Sequence, residues 1–285
     1  MAAVVPEPIE YRVDATVEHE TDASAAARPV ARRWLTDSRV SVVVPALNEA
    51  RNLPLVLPRI PKWISELILV DGGSTDGTVH VAKQLWPDIR VLQQTGRGKG
   101  AALRAGFAAA TGDIIVMLDA DGSTDPAEIP AFVGALLAGA DLAKGSRFLQ
   151  GALTSDMPMH RRLGNSVFVA LVRMRFGGRF SDLCYGYNAF WRDVLPKLEL
   201  DCDGFEIETV LNIRALTADL RVVEVPSRES KRVHGIGRLR TIPDGWRVLR
   251  AIGREAFRRG RSFQRRMAAE SVAETNALSA ARGRR

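Results

Sequence analysis

Three short apolar runs, each followed by a polar turn and a helical stretch, most constrain how this chain can fold. The runs are Val40–Pro45, Ile64–Val70 and Asp113–Leu118. Continuous apolar runs of this length are typical of strands that are buried on both faces of a sheet. Strands separated by helices of about ten residues form parallel sheets, because each connection must cross over the sheet. The sequence therefore predicts an α/β fold with a mostly parallel central sheet flanked by helices.

The segments between and after these runs carry helix signals. Ser74, Thr75 and Asp76 are N-cap candidates for a helix over Thr78–Leu85, and a proline opens the segment Pro126–Leu137. The remaining predicted helices are Gly100–Ala110, Arg161–Phe176 and Glu206–Leu216, and the remaining predicted strands are Tyr187–Trp191 and Leu220–Val225. The second half of the chain is thus less regular than the first.

The formal net charge of +7 is concentrated at the end of the 285-residue chain. Residues 1–27 are acidic and alanine-rich, whereas residues 247–285 carry eleven arginines against three glutamates. Because the middle is close to neutral, the pattern does not indicate a basic face for nucleic acid, and we exclude that partner. We expect disordered tails over 1–37 and 268–285, a folded domain over 38–245 and a basic amphipathic helix over 246–267.

Cysteine content and hydropathy exclude several other classes. Cys184 and Cys202 are the two cysteines of the chain, and their spacing suits neither a disulfide framework nor a zinc or iron–sulfur site. This usage favours a reducing cytosol. The longest apolar stretch, Ala131–Ala140, is much shorter than the roughly 20 residues of a membrane-spanning helix. We therefore expect no segment that crosses a membrane.

Acidic residues follow each of the three predicted strands. Glu49 follows the first, Asp71 and Asp76 follow the second, and Asp119 and Asp121 follow the third. One such loop is ordinary, since acidic residues favour turns and helix starts. Three at the same edge of a parallel sheet are more informative, because ligands of such sheets bind at the carboxyl ends of the strands. The pattern predicts a polar ligand site at this edge.

The segment Asp119-Ala120-Asp121 predicts a cation site. In an extended segment, residues two apart point the same way, so both carboxylates can reach one ion. Mg²⁺ or Mn²⁺ held by one or two carboxylates and by substrate phosphates is a common arrangement. A D-x-D triplet alone is a weak signal, but this one directly follows an apolar strand.

Other nucleotide-binding motifs are missing or ambiguous. Arg97-Gly98-Lys99-Gly100 lacks the spacing of a phosphate-binding P-loop, and an ordinary glycine loop before a helix explains it equally well. No G-x-G-x-x-G follows a strand, which argues against a dinucleotide site. No serine or cysteine is matched with a histidine in a nucleophile motif, so covalent catalysis of that kind is not indicated.

Four motifs together resemble a known family. They are VSVVVPALNEARNL, LILVDGGSTDGT, GRGKGAALRAGFAAATGDIIVMLDADGSTDP and KGSRF. These segments are similar to the family 2 glycosyltransferases with the GT-A fold, and within them to the polyprenyl-phosphate sugar synthases. The resemblance extends over roughly Arg39–Arg250. It implies a metal-dependent enzyme that moves a hexose from a nucleoside-diphosphate sugar, of the UDP-glucose or GDP-mannose type, to a polyprenyl phosphate.

The resemblance also implies residue roles. A nucleotide-sugar site would be formed by Pro45, Leu47, Glu49, Asp71, Lys99, Asp119, Ala120 and Asp121. Mg²⁺ or Mn²⁺ would be held by Asp119, Asp121 and Ser123, where the serine replaces a third ligand that is often glutamine in the family. Catalytic roles would fall to Asp121, Arg147, Asp182 and Arg232, and the acceptor phosphate would lie near Arg147, Arg232 and Arg238. The segment from Arg232 to Leu239 departs from the family's R-x-x-G-x-S-K-L loop at Gly237 and Arg238.

The chain offers few candidates for a general base, and this helps to identify the acceptor. A sugar hydroxyl needs a positioned base, for which Asp182 is the best candidate, followed by Asp203 and Glu206. A lipid monophosphate is already anionic near neutral pH and can attack the anomeric carbon directly, with inversion. This favours a polyprenyl phosphate, and a soluble family 2 enzyme acting on a small metabolite or a saccharide is the alternative.

The C-terminal region suggests where such an enzyme works. An apolar stripe of Trp246, Leu249, Ile252, Ala256 and Phe257 lies beside many arginines. This composition is typical of a helix at an anionic membrane surface. A helix packed on the domain with a solvated basic face has the same pattern. We expect a cytoplasmic protein that binds peripherally to the inner face of the cell membrane.

Overall fold

The structure is a computed structural model that describes residues 38–154 and 157–258. The strands of its main sheet are β1 (Val40–Ala46), β2 (Glu66–Asp71), β3 (Arg90–Gln93), β4 (Ile114–Met117), β5 (Leu142–Ser146), β7 (Asn188–Trp191) and β8 (Val222–Pro226). Their spatial order is β3-β2-β1-β4-β7-β5-β8. Two short strands, β6 (Leu153–Thr154) and β9 (Arg228–Glu229), pair in parallel as a second sheet.

Helices flank this sheet. They are α1 (Leu53–Val56), α2 (Thr78–Leu85), α3 (Lys99–Ala109), α4 (Ile129–Leu137), α5 (Met159–Phe176), α6 (Leu195–Leu198) and α7 (Ile207–Thr217). A further helix, α8, covers residues 241–258. Short 3₁₀ turns lie at Leu57–Arg59, Pro126–Glu128 and Arg192–Val194.

The predicted α/β architecture is confirmed. Strand β1 pairs in parallel with β2 and β4, and the pairs β2–β3 and β5–β8 are also parallel. Strand β7 is antiparallel to β4 and to β5. The three predicted apolar runs became the adjacent strands β2, β1 and β4, whose side chains are buried on both faces as the continuous runs require. Their carboxyl ends consequently meet at one edge.

Strands β3 and β5 were not predicted from the sequence. Strand β3 is short and lies at the edge of the sheet with two exposed residues. Every residue of β5 is buried, although the strand contains Lys144 and Gly145 and so lacks an apolar run. A side chain at Gly145 would come within 2.7 Å of the Tyr187 carbonyl oxygen, so the neighbouring segment requires a glycine there.

A second apolar cluster joins α5, α7 and α8. It includes Val172 of α5, Ile213 of α7, and Val248 and Ile252 of α8. A buried ion pair between Arg214 of α7 and Glu255 of α8, at 2.7 Å, lies on the same side of α8. One face of α8 is therefore fixed to the domain.

The predicted apolar stripe of α8 is divided between two sides of the helix. Ile252 is buried, whereas Trp246 and Leu249 are exposed, as is Phe257. Ile252 lies six positions after Trp246, which is about one and two thirds turns of a 3.6-residue helix, so the two side chains cannot share a face. The helix also begins at residue 241, five positions before the expected start.

Several expectations fall outside the described residues. They are the disordered tails over 1–37 and 268–285 and the part of the C-terminal helix that follows residue 258. Within residues 38–154 and 157–258, no helix combines the length and the apolar character that a membrane crossing requires.

Candidate functional site

A cavity of about 880 Å³ opens at the carboxyl ends of β1 and β4. Eleven of the predicted site residues line it: Pro45, Leu47, Glu49, Lys99, Asp119, Ala120, Asp121, Ser123, Arg147, Arg232 and Arg238. The volume lies in the range of small-molecule sites. The cavity continues between α5 and α8, where Phe168 and Val248 contribute to its walls.

The turn after β1 forms one wall of the cavity. Asn48 lies in the left-handed region at φ 59°, which asparagine tolerates better than most residues. Its side chain accepts a hydrogen bond from the Thr75 backbone N–H, and its own N–H donates to the Ser74 hydroxyl. The turns after β1 and β2 thereby hold each other, and Leu47 and Glu49 are presented to the cavity.

Asp71 does not line the cavity. The residue ends β2, is buried, and accepts hydrogen bonds from the backbone N–H groups of Gly73 and Ser74 at 3.2 Å. In this position Asp71 shapes the turn after β2. The sequence prediction that it contacts the nucleotide base remains a prediction.

The two carboxylates of the D-x-D segment have different partners. Asp119 pairs with the Lys99 ammonium at 2.6 Å. Asp121 accepts hydrogen bonds from the Ser123 hydroxyl at 2.6 Å and from the Ser123 N–H at 3.0 Å. Arg232 approaches the other oxygen of Asp121 at 3.4 Å. Both carboxylates and the Ser123 hydroxyl thus lie on the cavity wall.

The donor set fits a hard divalent cation. It consists of oxygen atoms only, from Asp119, Asp121 and Ser123, which Mg²⁺ and Mn²⁺ prefer. In the described part of the chain, no group of three or more His, Cys, Asp or Glu residues forms a preassembled metal cluster. Two carboxylates suit an ion whose remaining ligands are water and the phosphates of a substrate.

Glu208 of α7 is a site residue that the sequence analysis missed. Its carboxylate accepts a hydrogen bond from the Lys99 ammonium at 2.7 Å, so that Lys99 bridges Glu208 and Asp119. A side chain at Gly186 would come within 3 Å of all three charged groups, so this cluster depends on a glycine there. Glu208 lies in the helix α7, most of whose residues are buried, and no sequence motif marks it.

Lys99 lies between two carboxylates, and these partners determine its charge state. Burial by itself lowers the pKa of Lys99, but the ion pairs with Asp119 and Glu208 raise it above the ordinary value. Burial raises the pKa of Glu208, and the Lys99 charge opposes that shift. The ammonium therefore stays charged next to the D-x-D segment, and it offers a fixed positive charge on the cavity wall.

Arg147 also lines the cavity and is held by several hydrogen bonds. Its guanidinium makes two hydrogen bonds to Asp182, at 2.7 and 3.0 Å, and one to Glu229 at 2.9 Å. Burial alone lowers the pKa of Arg147, but these carboxylates raise it overall. Paired in this way, Arg147 retains its charge in a buried position.

Asp182 occupies a different position from the one a general base needs. The residue is fully buried, does not line the cavity, and uses both carboxylate oxygens on Arg147. Burial raises its pKa, but Arg147 and Lys144 lower it below the ordinary value. In this position Asp182 orients the Arg147 guanidinium. The catalytic role that the resemblance implied for Asp182 stays a prediction. Asp203 and Glu206, the weaker candidates, do not line the cavity either.

The loop 231–239 contacts the turn after β1. The Arg232 guanidinium pairs with Glu49 at 2.5 Å, and Arg238 donates to the Leu47 carbonyl oxygen at 3.2 Å. Arg232 thus lies between Glu49 and Asp121 in the cavity. The loop places Arg232 beside the D-x-D segment and Arg238 at the turn after β1, and both arginines line the cavity.

Two helices at the cavity mouth expose apolar side chains. On α5 the exposed residues are Met159, Leu163, Val167 and Met174, and on α8 and just before it they are Ile236, Leu239, Ile242, Trp246 and Leu249. On a 3.6-residue helix, the four on α5 fall on one face. Arg162, Arg173 and Arg250 lie exposed beside these stripes. Each of the two helices therefore carries exposed apolar side chains with arginines beside them.

The sheet order and the paired carboxylates after β4 are those of GT-A glycosyltransferases. Glucosyl-3-phosphoglycerate synthase from Mycobacterium tuberculosis, in complex with Mn²⁺, UDP and glucosyl-3-phosphoglycerate, superposes with a TM-score of 0.61 at 26% identity. The match covers 78% of this chain and 81% of that chain. Another structure of the same synthase contains Mg²⁺ and UDP.

The chain belongs to glycosyl transferase family 2, whose sequence model matches residues 41–198. Polyprenol monophosphomannose synthase of Mycolicibacterium smegmatis is 35% identical over 214 residues, covering 70% of this chain and 81% of that protein. Dolichol-phosphate mannosyltransferase of Pyrococcus furiosus is 31% identical over 212 residues, covering 71% of this chain and 59% of that protein. The resemblance inferred from the four motifs is confirmed.

Proposed function

We propose that this glycosyltransferase transfers a hexose, with inversion, from a nucleoside-diphosphate sugar to a polyprenyl phosphate at the cytoplasmic face of the membrane. One observation carries the proposal: Arg147, Arg232 and Arg238 line the same cavity as the D-x-D carboxylates, and this cavity opens between helices with exposed apolar faces. The names of the two curated relatives, both lipid-phosphate mannose enzymes, support it.

The donor occupies the part of the cavity near β1 and α3. Pro45, Leu47 and Glu49 contact the nucleoside, and the fixed Lys99 ammonium lies beside the sugar and its phosphates. Asp119 and Asp121, with Ser123, would hold Mg²⁺ or Mn²⁺. When bound, the ion supplies Lewis-acid stabilisation of the charge that develops on the leaving nucleoside diphosphate.

The arginines of the cavity complete the charge stabilisation. Arg232 is within reach of the diphosphate because it already lies at Asp121. Arg147, oriented by Asp182, faces the acceptor. Preorganised positive groups of this kind need no rearrangement as charge develops in the transition state.

The acceptor needs no general base. The second pKa of a phosphate monoester is about 6, so a polyprenyl phosphate carries a nucleophilic oxyanion at neutral pH. That oxygen attacks the anomeric carbon from the side opposite the departing diphosphate, a new C–O bond forms as the old one breaks, and the configuration inverts. The burial of Asp182 agrees with a reaction that does not use it as a base.

The lipid reaches the site from the membrane surface. The apolar stripes of α5 and α8 contact the acyl boundary, and the arginines beside them contact anionic headgroups. The isoprenoid chain then leaves the cavity between the two helices.

A donor and acceptor screen tests the proposal. The full-length protein is incubated with Mn²⁺ or Mg²⁺, with UDP-glucose or GDP-mannose, and with polyprenyl phosphate in anionic vesicles, and release of nucleoside diphosphate is followed. We expect glycolipid formation that stops in EDTA. Glycosylation of a soluble acceptor in preference to the lipid would overturn the proposed acceptor.

A second candidate is a soluble acceptor that carries an anionic group. The superposed synthase has glucosyl-3-phosphoglycerate in its structure, and the arginines of our cavity would suit such a phosphorylated or carboxylated compound equally well. Phosphoglycerate in the same screen distinguishes the two, because it needs no vesicles.

A further inference from the structure

Asn52 has an unusual arrangement of hydrogen bonds. It precedes α1 as the N-cap residue, yet its side chain does not cap that helix. An N-cap asparagine usually accepts a hydrogen bond from a backbone N–H in the first turn. The Asn52 carboxamide is almost fully buried and turns instead to a residue 182 positions later in the chain.

The Asn52 carboxamide holds the backbone of His234 from both sides. Its Nδ2 donates to the His234 carbonyl oxygen at 3.1 Å, and its Oδ1 accepts from the His234 N–H at 3.1 Å. The same Nδ2 donates to Glu49 at 2.6 Å. Only a primary amide presents a donor and an acceptor in this pairing, so neither aspartate nor an apolar residue can replace it.

These contacts join the donor side of the cavity to the acceptor side. Glu49, which accepts from Asn52, also pairs with Arg232, and Arg232 donates to the His234 carbonyl oxygen at 2.7 Å. The loop 231–239 contains two glycines, and Gly235 lies at φ 79°, so the segment has little stiffness of its own. Its position therefore depends on the contacts with the turn after β1.

We propose that Asn52 is a positioning residue that latches loop 231–239 onto the turn after β1. In this way Asn52 holds Arg232 and Arg238 over the cavity. The role of these arginines in binding phosphate rests on the proposed function, whereas the latch rests on the hydrogen bonds alone. Opening the loop requires the Asn52–His234 pair and the Glu49–Arg232 pair to break together.

Hydrogen–deuterium exchange on the full chain without ligands tests the latch. In Asn52→Ala we expect the amides of residues 231–239 to exchange about tenfold faster than in the wild type, the factor that the loss of a buried hydrogen bond predicts. The His234 amide reports directly, because its N–H donates to Asn52. Asn52→Asp retains the size of the side chain but cannot donate, and we expect faster exchange there too.

Ser74→Ala is the matched control. It removes the hydrogen bond that the Asn48 N–H donates to the Ser74 hydroxyl in the same pair of turns, and it leaves the hydrogen bonds of Asn52 to His234 in place. We expect wild-type exchange in the loop. Protection of the amides of β1 and β4 in the same experiment shows whether each variant is folded. If Asn52→Ala does not fold, Asn52→Asp is compared with the wild type instead.

Kinetics give the second measurement. We expect Asn52→Ala to raise KM for polyprenyl phosphate about tenfold while the Kd for free nucleoside diphosphate changes less than twofold. Wild-type exchange of the loop in both Asn52 variants would overturn the latch, as would equal acceleration in Ser74→Ala. Failure of the wild type to glycosylate polyprenyl phosphate would count against the proposed function, and the exchange result would still decide on the latch.

Discussion

The two aspartates of the D-x-D segment have different neighbours, and this decides what each substitution reports. Asp119 already has a full positive partner in Lys99, whereas Asp121 is oriented by the Ser123 hydroxyl and N–H. Loss of the Asp119 carboxylate leaves Lys99 paired with Glu208 and disturbs two charged groups. Loss of the Asp121 carboxylate removes a ligand with less effect on the buried charges. Asp121 is therefore the cleaner position for testing the cation.

We predict that Asp121→Asn weakens Mn²⁺ binding in the presence of nucleoside diphosphate by at least tenfold and reduces transfer in parallel, because one anionic ligand is lost. Binding is measured by electron paramagnetic resonance of free Mn²⁺. Asp203→Asn is the control, since Asp203 pairs with Arg104 outside the cavity. Undiminished Mn²⁺ affinity in Asp121→Asn would contradict the ligand assignment.

The buried ion pair of Asp182 with Arg147 should contribute to the stability of the fold. Removing one partner of a buried ion pair costs about 3–5 kcal/mol, so we expect Asp182→Ala to lower the free energy of unfolding by that order at neutral pH. The folded-state pKa of Asp182 lies below its unfolded value, which is about 3.9. Its stabilisation is thus complete above the unfolded pKa and is lost as the pH falls through the folded pKa.

Urea unfolding at neutral pH and near pH 3 measures this effect. The difference between wild type and Asp182→Ala should shrink at the acid value, whereas Asp88→Ala, at an exposed position, should change stability little at either pH. A difference that stays constant on acidification would mean that packing, and not the charge of Asp182, accounts for the loss.

At the scale of single residues, the sequence predicted those cavity residues that belong to short contiguous motifs. Glu49, Lys99, Asp121 and Arg147 all belong to contiguous segments and all line the cavity. Glu208 was missed because its contact with Lys99 joins residues 109 positions apart. The hydrogen bonds of Asn52 were missed for the same reason. Pairings across such distances depend on the sheet order, which a single sequence does not contain.

At the scale of elements, the alternation of strands and helices was predictable where one physical signal dominated. Strands β1, β2 and β4 have continuous apolar runs, and α2 was predicted with its observed ends. Strand β5 was missed because the buried Lys144 and Gly145 interrupt its apolar pattern. Strand β5 lies between β7 and β8 in the sheet, a buried position that its own composition does not indicate.

Helix α8 shows how two apolar faces can be taken for one. Val248 and Ile252 face the domain, while Trp246 and Leu249 face outward. A search for a single stripe combines residues from both faces, as the sequence analysis did. One side of the helix packs on α5 and α7. Binding of its exposed side to a membrane stays a prediction.

If the exposed faces of α5 and α8 dock on a membrane, substitutions on them should weaken membrane binding. We expect Leu163→Glu and Trp246→Glu each to reduce co-sedimentation with anionic vesicles about tenfold, because each places a carboxylate in the apolar contact and repels the headgroups. Trp63→Glu is the matched control, since Trp63 is equally exposed but lies before β2, at the opposite edge of the sheet from the cavity. Equal losses in all three variants would contradict a specific docking face.

At the scale of the whole molecule, the sequence predicted the fold and the ligand edge but not the direction in which the cavity opens. The α/β sheet and its ligand edge followed from the sequence, because parallel strands bring their carboxyl ends together. The direction in which the cavity opens did not follow, because it depends on how α5 and α8 pack. The basic C-terminal segment begins on α8, directly beside that opening.

Residues 259–285 carry seven arginines and two glutamates, and their removal tests the contribution of this charge. Truncation after residue 244 is unsuitable, because it would delete Val248, Ile252 and Glu255 from the packed side of α8. A chain that ends at Arg258 retains all of these contacts. Any change in membrane binding can then be assigned to the deleted charges.

We predict that the chain ending at Arg258 binds anionic vesicles about 30-fold more weakly than the full chain, as expected if two arginines near the surface contribute about 1 kcal/mol each. The difference should shrink as salt is raised from about 0.1 M to 1 M, because the Debye length falls from about 10 Å to about 3 Å. The residual binding comes from the apolar faces of α5 and α8 and should be lost in Trp246→Glu. Neutral vesicles provide the control, since the two chains should bind them equally. Equal binding to anionic vesicles at low salt would show that the arginines after residue 258 take no part in docking.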